Sequence, residues 1–70
     1  MTKDSASRQE ERANQILDAA TVVFAGQGFD ATRMDDIAQA AGLSKGTLYW
    51  YFKSKESLTL ELLRRILAQQ

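Results

Sequence analysis

At 70 residues, with nine basic and nine acidic side chains, the chain has room for one small domain, and its formal net charge of zero announces no nucleic-acid partner. It holds no cysteine and no histidine, which argues against thiol nucleophiles, Ser-His-Asp triads and the usual zinc ligand sets and leaves hydrophobic packing to hold the fold. No apolar run approaches the roughly 18 residues of a membrane span, and the polar N-terminus lacks the apolar centre of a signal peptide, so a cytoplasmic location is expected.

Residues 1–6 are polar and aperiodic and read as a disordered arm. Ser7 and Glu10 have capping-box spacing and open a first helix that runs to about Gly26. Ala13, Ile16, Leu17, Ala20, Val23 and Phe24 line its core face, with Asn14, Asp18 and Thr21 opposite. Gly28 is the expected stop, and Phe29 beyond it is placed to fold back on the last turn. Arg8 and Arg12 precede the core face. They either reach a phosphate at the flank of a site or stand as solvated charges beside nearby acids.

Thr32 is the expected cap of a second helix, accepting from the amide of Asp35, whose own charge favours the helix start. Met34, Ile37, Ala38 and Ala41 share an apolar face, and Gly42 ends the helix because it takes a left-handed conformation without a Cβ penalty. Ser44 caps a third helix in which Leu48 and Phe52, one turn apart, point into the core. At about 100° per residue, Tyr49, Trp50, Tyr51 and Phe52 cover nearly the whole circumference, so at least one aromatic ring must face outward.

Ser54 caps a fourth helix beginning at Lys55. There Leu58, Leu62 and Ile66 form one stripe, and Leu60, Leu63 and Leu67 form another about 140° away by the same count. A small headpiece covers the first stripe more easily than both, so the second is expected to meet further protein. No segment alternates as a strand does.

The fold expected is all-α: a small helical bundle with a homeodomain-like three-helix headpiece and the start of helix 4. Two short helices around a glycine turn make a helix-turn-helix, whose second helix suits a DNA major groove. Between Gly42 and Lys55 lie Lys45, Lys53 and Lys55 and no acid, whereas Asp30, Asp35 and Asp36 crowd the preceding segment. Lys45, Gly46 and Thr47 form the first turn of helix 3. Lys45 can donate to guanine, Thr47 can hydrogen-bond or touch a thymine methyl, and Gly46 lets the backbone come close. The blander reading is a tight turn beside a solvated lysine. Lys55 at the start of helix 4 reads as a phosphate clamp, and Thr32 with Arg33 offers the same across the groove.

Two patterns mislead. Gly26-x-Gly28-x-x-Ala31 has part of a dinucleotide fingerprint but follows a helix instead of a strand. Tyr51-x-x-x-Lys55 has the spacing of an acid-base pair of short-chain dehydrogenases, without a cofactor fold to serve it. No enzyme activity, metal or cofactor is expected.

F-A-G-Q-G-F-D-A-T (Phe24 to Thr32), D-I-A-Q-A-A-G-L-S-K-G-T-L-Y-W-Y-F (Asp36 to Phe52) and K-S-K-E-S-L (Lys53 to Leu58) together resemble the DNA-binding headpiece of TetR-family transcriptional regulators, from about Ala13 to Leu63. The resemblance implies that Tyr49 is a base or methyl contact and that Trp50 and Tyr51 are backbone contacts through N–H and O–H. Tyr51 sits where many relatives carry histidine, and its helical angle, near that of Leu48, equally allows packing at the core edge. The DNA-binding set so implied is Thr32, Arg33, Ser44, Lys45, Gly46, Thr47, Tyr49, Trp50, Tyr51 and Lys55. Also implied are a headpiece over residues 7–54 and a helix over residues 55–70 leading to a ligand-binding and dimerisation domain absent from this chain. The function implied is a ligand-responsive repressor that binds a palindromic operator in double-stranded DNA as a homodimer, with a small-molecule inducer bound in the missing domain. A rival of another class is a helical protein-interaction module that uses the second leucine stripe and has no DNA role.

Overall fold

The computed structural model describes the backbone of residues 4–68 and the side chains of residues 8–68, and among them there are four α-helices and no strand. These are α1 (Asp4–Gln27), α2 (Met34–Ala41), α3 (Lys45–Tyr51) and α4 (Lys55–Ala68). The all-α helix-turn-helix fold expected from the pattern is therefore present. α1 starts ahead of Ser7, so Ser7 is an interior helical residue and not a cap. Adding a turn to a long helix needs no new nucleus. Of the expected arm, Met1 to Lys3 lie outside the described residues.

α1 stops where expected. Gly28 has φ 89° and its N–H donates to the Phe24 carbonyl at 2.8 Å. Phe29 then turns back, its ring 5.4 Å from that of Phe24. The start of α2 differs from expectation: Arg33 is the cap residue, and the Asp36 carboxylate accepts its N–H at 3.0 Å. Thr32 instead faces inward, 1% exposed, with its hydroxyl donating to the Gly28 carbonyl at 2.6 Å and its N–H to that of Phe29 at 3.2 Å. Burying the threonine methyl while bonding both of its donors to the turn removes it from the cap.

The turn between α2 and α3 is built on Gly42, at φ 73°. Its N–H donates to the Gln39 carbonyl at 3.1 Å and the Leu43 N–H to that of Ala38 at 2.9 Å, the double closure that ends a helix on a left-handed residue. Ser44 opens α3, and its Oγ accepts from the Thr47 N–H at 3.2 Å.

One core joins the four helices: Ile16, Leu17 and Ala20 from α1, Met34, Ile37 and Ala38 from α2, Leu48 and Phe52 from α3 and its exit, and Leu58 and Leu62 from α4. α3 has only seven residues. A helix that short has no stability of its own in water, so its existence and its angle depend on those two anchors.

α4 begins with a reciprocal serine cap, in which the Ser57 N–H donates to Ser54 Oγ at 3.1 Å and the Ser54 N–H to Ser57 Oγ at 3.2 Å. Leu58 and Leu62 are buried, but Ile66, expected in the same stripe, is 53% exposed. Arg65 takes the position facing α1 beyond Leu62, donating to Asn14 Oδ1 at 3.2 Å and Asp18 Oδ1 at 2.9 Å, and Ile66 turns away. Ile66 thereby joins Leu60, Leu63 and Leu67 in an exposed apolar face.

Candidate nucleic-acid interface

Rotation along α3 sorts its residues into two sets. Leu48 is fully buried and Phe52 nearly so, whereas Ser44, Lys45, Gly46, Tyr49 and Trp50 are exposed, Trp50 by 63%. Thr47 is half-buried, and the Ser44 hydroxyl donates to its Oγ1 at 3.0 Å, which leaves Thr47 its own hydroxyl hydrogen. The outward edge thus offers an ammonium, a bare stretch of backbone, a hydroxyl and two amphipathic rings. Tyr51 is half-buried at the core edge, with the Trp50 ring set edge-on at 5.0 Å and 74°.

Lys45 is not isolated. Its Nζ lies 3.0 Å from Asp35 Oδ1 on α2, and this hydrogen bond, with the attraction between the charges, raises the lysine pKa above its ordinary value. Both side chains are more than half exposed, so the pair is weak and can open toward a competing partner. It holds the ammonium at the junction of the two helices. Removal of the Ser44 hydroxyl takes away the cap of α3, and Ser44→Ala is expected to lower stability by about 1 kcal/mol, read as a fall in the thermal midpoint.

Arg33 is exposed beside the start of α2, and Lys53 is exposed in the link to α4. The Asp36 carboxyl is held below its ordinary pKa, first by the Arg33 backbone N–H and then by the Gln27 side-chain amide at 3.3 Å. A depressed carboxylate stabilises above its unfolded pKa, here near 3.8, and loses that contribution as pH falls through the lowered folded value. Acid titration is therefore expected to leave the first turn of α2 intact until pH falls below about 3.8 and to loosen it only there, seen as lost amide protection at residues 33–37 relative to the rest of the chain.

Two of the expected site residues stand apart from this edge. Thr32 is buried with hydroxyl and amide both bonded internally, so it offers no group to a ligand. The Lys55 ammonium is also engaged within the chain: it donates to the Phe29 carbonyl at 2.6 Å and lies 4.2 Å from the centre of the Phe29 ring. The other eight, Arg33, Ser44, Lys45, Gly46, Thr47, Tyr49, Trp50 and Tyr51, lie on the helix-turn-helix or its rim. Asp35 was missed. Its charge was legible only as a helix-start preference, because the spacing of Asp35 and Lys45 gives no sign that they meet until the α2–α3 angle is known.

Residues 16–62 match the family model described as bacterial regulatory proteins, tetR family. The chain is 42% identical over 67 residues to the transcriptional repressor KstR2 of Mycolicibacterium smegmatis, across 96% of this chain and 33% of that protein. It is 39% identical over 70 residues to the transcriptional regulator SrpR of Pseudomonas putida, across 100% of this chain and 31% of that protein. It is also 47% identical over 57 residues to the transcriptional activator FasR of Mycolicibacterium smegmatis, across 81% of this chain and 26% of that protein. The chain spans between about a quarter and a third of the length of these three relatives. No solved structure matches it.

Proposed function

The chain belongs to the tetR family of bacterial regulatory proteins, whose N-terminal domain is a DNA-binding helix-turn-helix, and on that premise we propose that it is the operator-reading part of a transcriptional repressor. The observation that carries this reading is the split of α3: Leu48 and Phe52 hold it in the core while Ser44, Lys45, Gly46, Tyr49 and Trp50 stand outward. Lys45 and Thr47 read base edges in the major groove, Gly46 gives the backbone close approach, and Tyr49 touches a base or a thymine methyl. Arg33, Ser44, Trp50 and the half-buried Tyr51 meet sugar and phosphate and fix the register. Asp35 sits close enough to Lys45 to hold the ammonium toward one base until DNA displaces it.

In this proposal residues 7–54 act as the headpiece and α4 continues toward a ligand-binding and dimerisation domain. The exposed Leu60, Leu63, Ile66 and Leu67 support that, since so large an apolar face is otherwise left in water. Two recognition helices in a dimer would enter successive major grooves of a palindromic operator, roughly 34 to 36 Å apart, and an inducer would act by changing that separation. The location proposed is the cytoplasm, where the DNA is; among the described residues no helix is long and apolar enough to cross a membrane.

The same exposed leucine face favours a second reading, a protein-interaction module without a DNA role. Titration of a labelled duplex at several salt concentrations, followed by the fluorescence of Trp50, the single tryptophan, separates the two. DNA binding weakens steeply as salt rises, and an apolar interface does not. Lys45→Ala is expected to reduce discrimination between the preferred duplex and one altered at a single base pair by about tenfold. Equal discrimination in the variant contradicts the role given to Lys45.

A further inference from the structure

Beyond Leu62 the fourth helix loses its apolar hold. Among the described residues of α4, Leu58 and Leu62 alone are buried, and from Leu63 to Ala68 every residue is exposed except Arg65. At about 1.5 Å per residue, that distal stretch carries the helix roughly 9 Å past its last buried leucine. There the half-buried Arg65 guanidinium lies against α1. Its Nη1 donates to Asn14 Oδ1 at 3.2 Å, with the Asn14 carbonyl farther off at 3.5 Å, and its Nη2 donates to Asp18 Oδ1 at 2.9 Å. Asn14 and Asp18 stand one turn apart on α1, so the two prongs of a planar fork grip neighbouring rungs of one ridge. Such a grip fixes position along α1 as well as distance from it. An apolar side chain in its place would leave α4 free to slide, because apolar attraction has no direction. The Asp18 side chain is 72% exposed, so the pair adds little to stability and its use is geometric.

We propose that Arg65 is a positioning residue, whose two-pronged hold on Asn14 and Asp18 sets the angle and register at which α4 leaves the headpiece. The exposed Leu60, Leu63, Ile66 and Leu67 are thereby presented in one fixed direction. On the reading given above, that direction helps to set how far apart the two recognition helices of a dimer stand. The consequence for DNA rests on that reading; the clasp itself does not.

The chain has no cysteine, so Gln15→Cys on α1 and Ala68→Cys on α4, both exposed positions, admit two spin labels whose separation reports the α1–α4 geometry. Pulsed electron paramagnetic resonance then compares this labelled chain with four variants of it: Arg65→Met, Arg65→Lys, Arg65→Glu, and Arg65→Glu combined with Asp18→Arg. The clasp predicts one narrow distance in the parent. In Arg65→Met the distribution broadens and moves by up to one helical turn, about 5 Å. Arg65→Lys, which keeps the charge without the fork, falls between the two. Arg65→Glu sets like charge against Asp18 and gives the widest distribution, which the added Asp18→Arg narrows again. Thermal midpoints of Arg65→Met and of the charge-swapped pair stay within a few degrees of the parent. Affinity for a duplex that the unmodified chain selects from a randomised pool, and its salt dependence, also stay the same. A narrow, unmoved distance in Arg65→Met or in Arg65→Lys overturns the proposal, as does broadening in Arg65→Glu that the swap fails to reverse. Weaker duplex binding in Arg65→Met, with the slope of log affinity against log salt smaller by about 0.9, would identify a phosphate contact and overturn it as well. Failure of the unmodified chain to bind any duplex, with the distances behaving as predicted, refutes the DNA reading and leaves the clasp standing.

Discussion

Replacing Leu48 by alanine is expected to unfold the chain at room temperature. The side chain is fully buried, at the point where α3 joins a core drawn from all four helices. Truncating a buried leucine costs about 2 to 5 kcal/mol, from lost transfer free energy and the cavity left behind. A domain of this size rarely has more than about 3 to 5 kcal/mol in hand, so the loss is comparable with the whole. Redistribution of the strain offers no escape, because a seven-residue helix with one of two anchors removed has no reason to persist. Circular dichroism should show the helical signal largely lost, and duplex binding should vanish with it. A cooperative melt within a few degrees of the unmodified chain would mean that α3 is held by something other than this packing.

Gly46→Ala is expected to do the opposite to the fold and the same to the function. An added Cβ meets nothing within 4 Å, so the folded chain accommodates it freely. Glycine in a helix costs up to about 1 kcal/mol relative to alanine, less near the start, and the thermal midpoint should rise by a few degrees. Binding should fall by about tenfold or more, since the methyl group lies where the helix backbone is proposed to close on DNA, and each 1.4 kcal/mol of lost contact is that factor. Opposite signs separate a site from a scaffold position. Higher stability with unchanged affinity would show that Gly46 is an ordinary exposed glycine and that close approach occurs elsewhere.

What was legible in the sequence is what neighbouring residues decide. Gly42 as the stop of α2, Ser44 as the cap of α3, Gly28 with Phe29 folding back on Phe24, and the inward pair Leu48 and Phe52 all follow from spacings of a few residues, and each is found in place. Contacts set by the angles between helices were not legible. The Lys55 to Phe29 bond spans 26 residues and the Arg65 to Asp18 bond 47, and no local pattern marks either. Thr32 looked like a cap because threonine is a good one, but its methyl group also fits a core, and burial won. Ile66 shares a helical stripe with Leu58 and Leu62, yet a stripe is covered only as far as a neighbour extends beside it. The outward edge of α3 was read correctly as a surface, whereas the pairing of Lys45 with Asp35 needed the geometry of the turn.

The central claim is that the edge of α3 turned away from Leu48 is the surface that meets DNA. Amide chemical-shift mapping during titration with a duplex selected by the chain tests it most directly. The account predicts that the largest changes run from Ser44 to Trp50, with a smaller set at Arg33, and that the α4 amides around Leu60, Leu63 and Leu67 stay still. Shifts confined to α4, or an α3 edge that does not respond to any duplex, would contradict it.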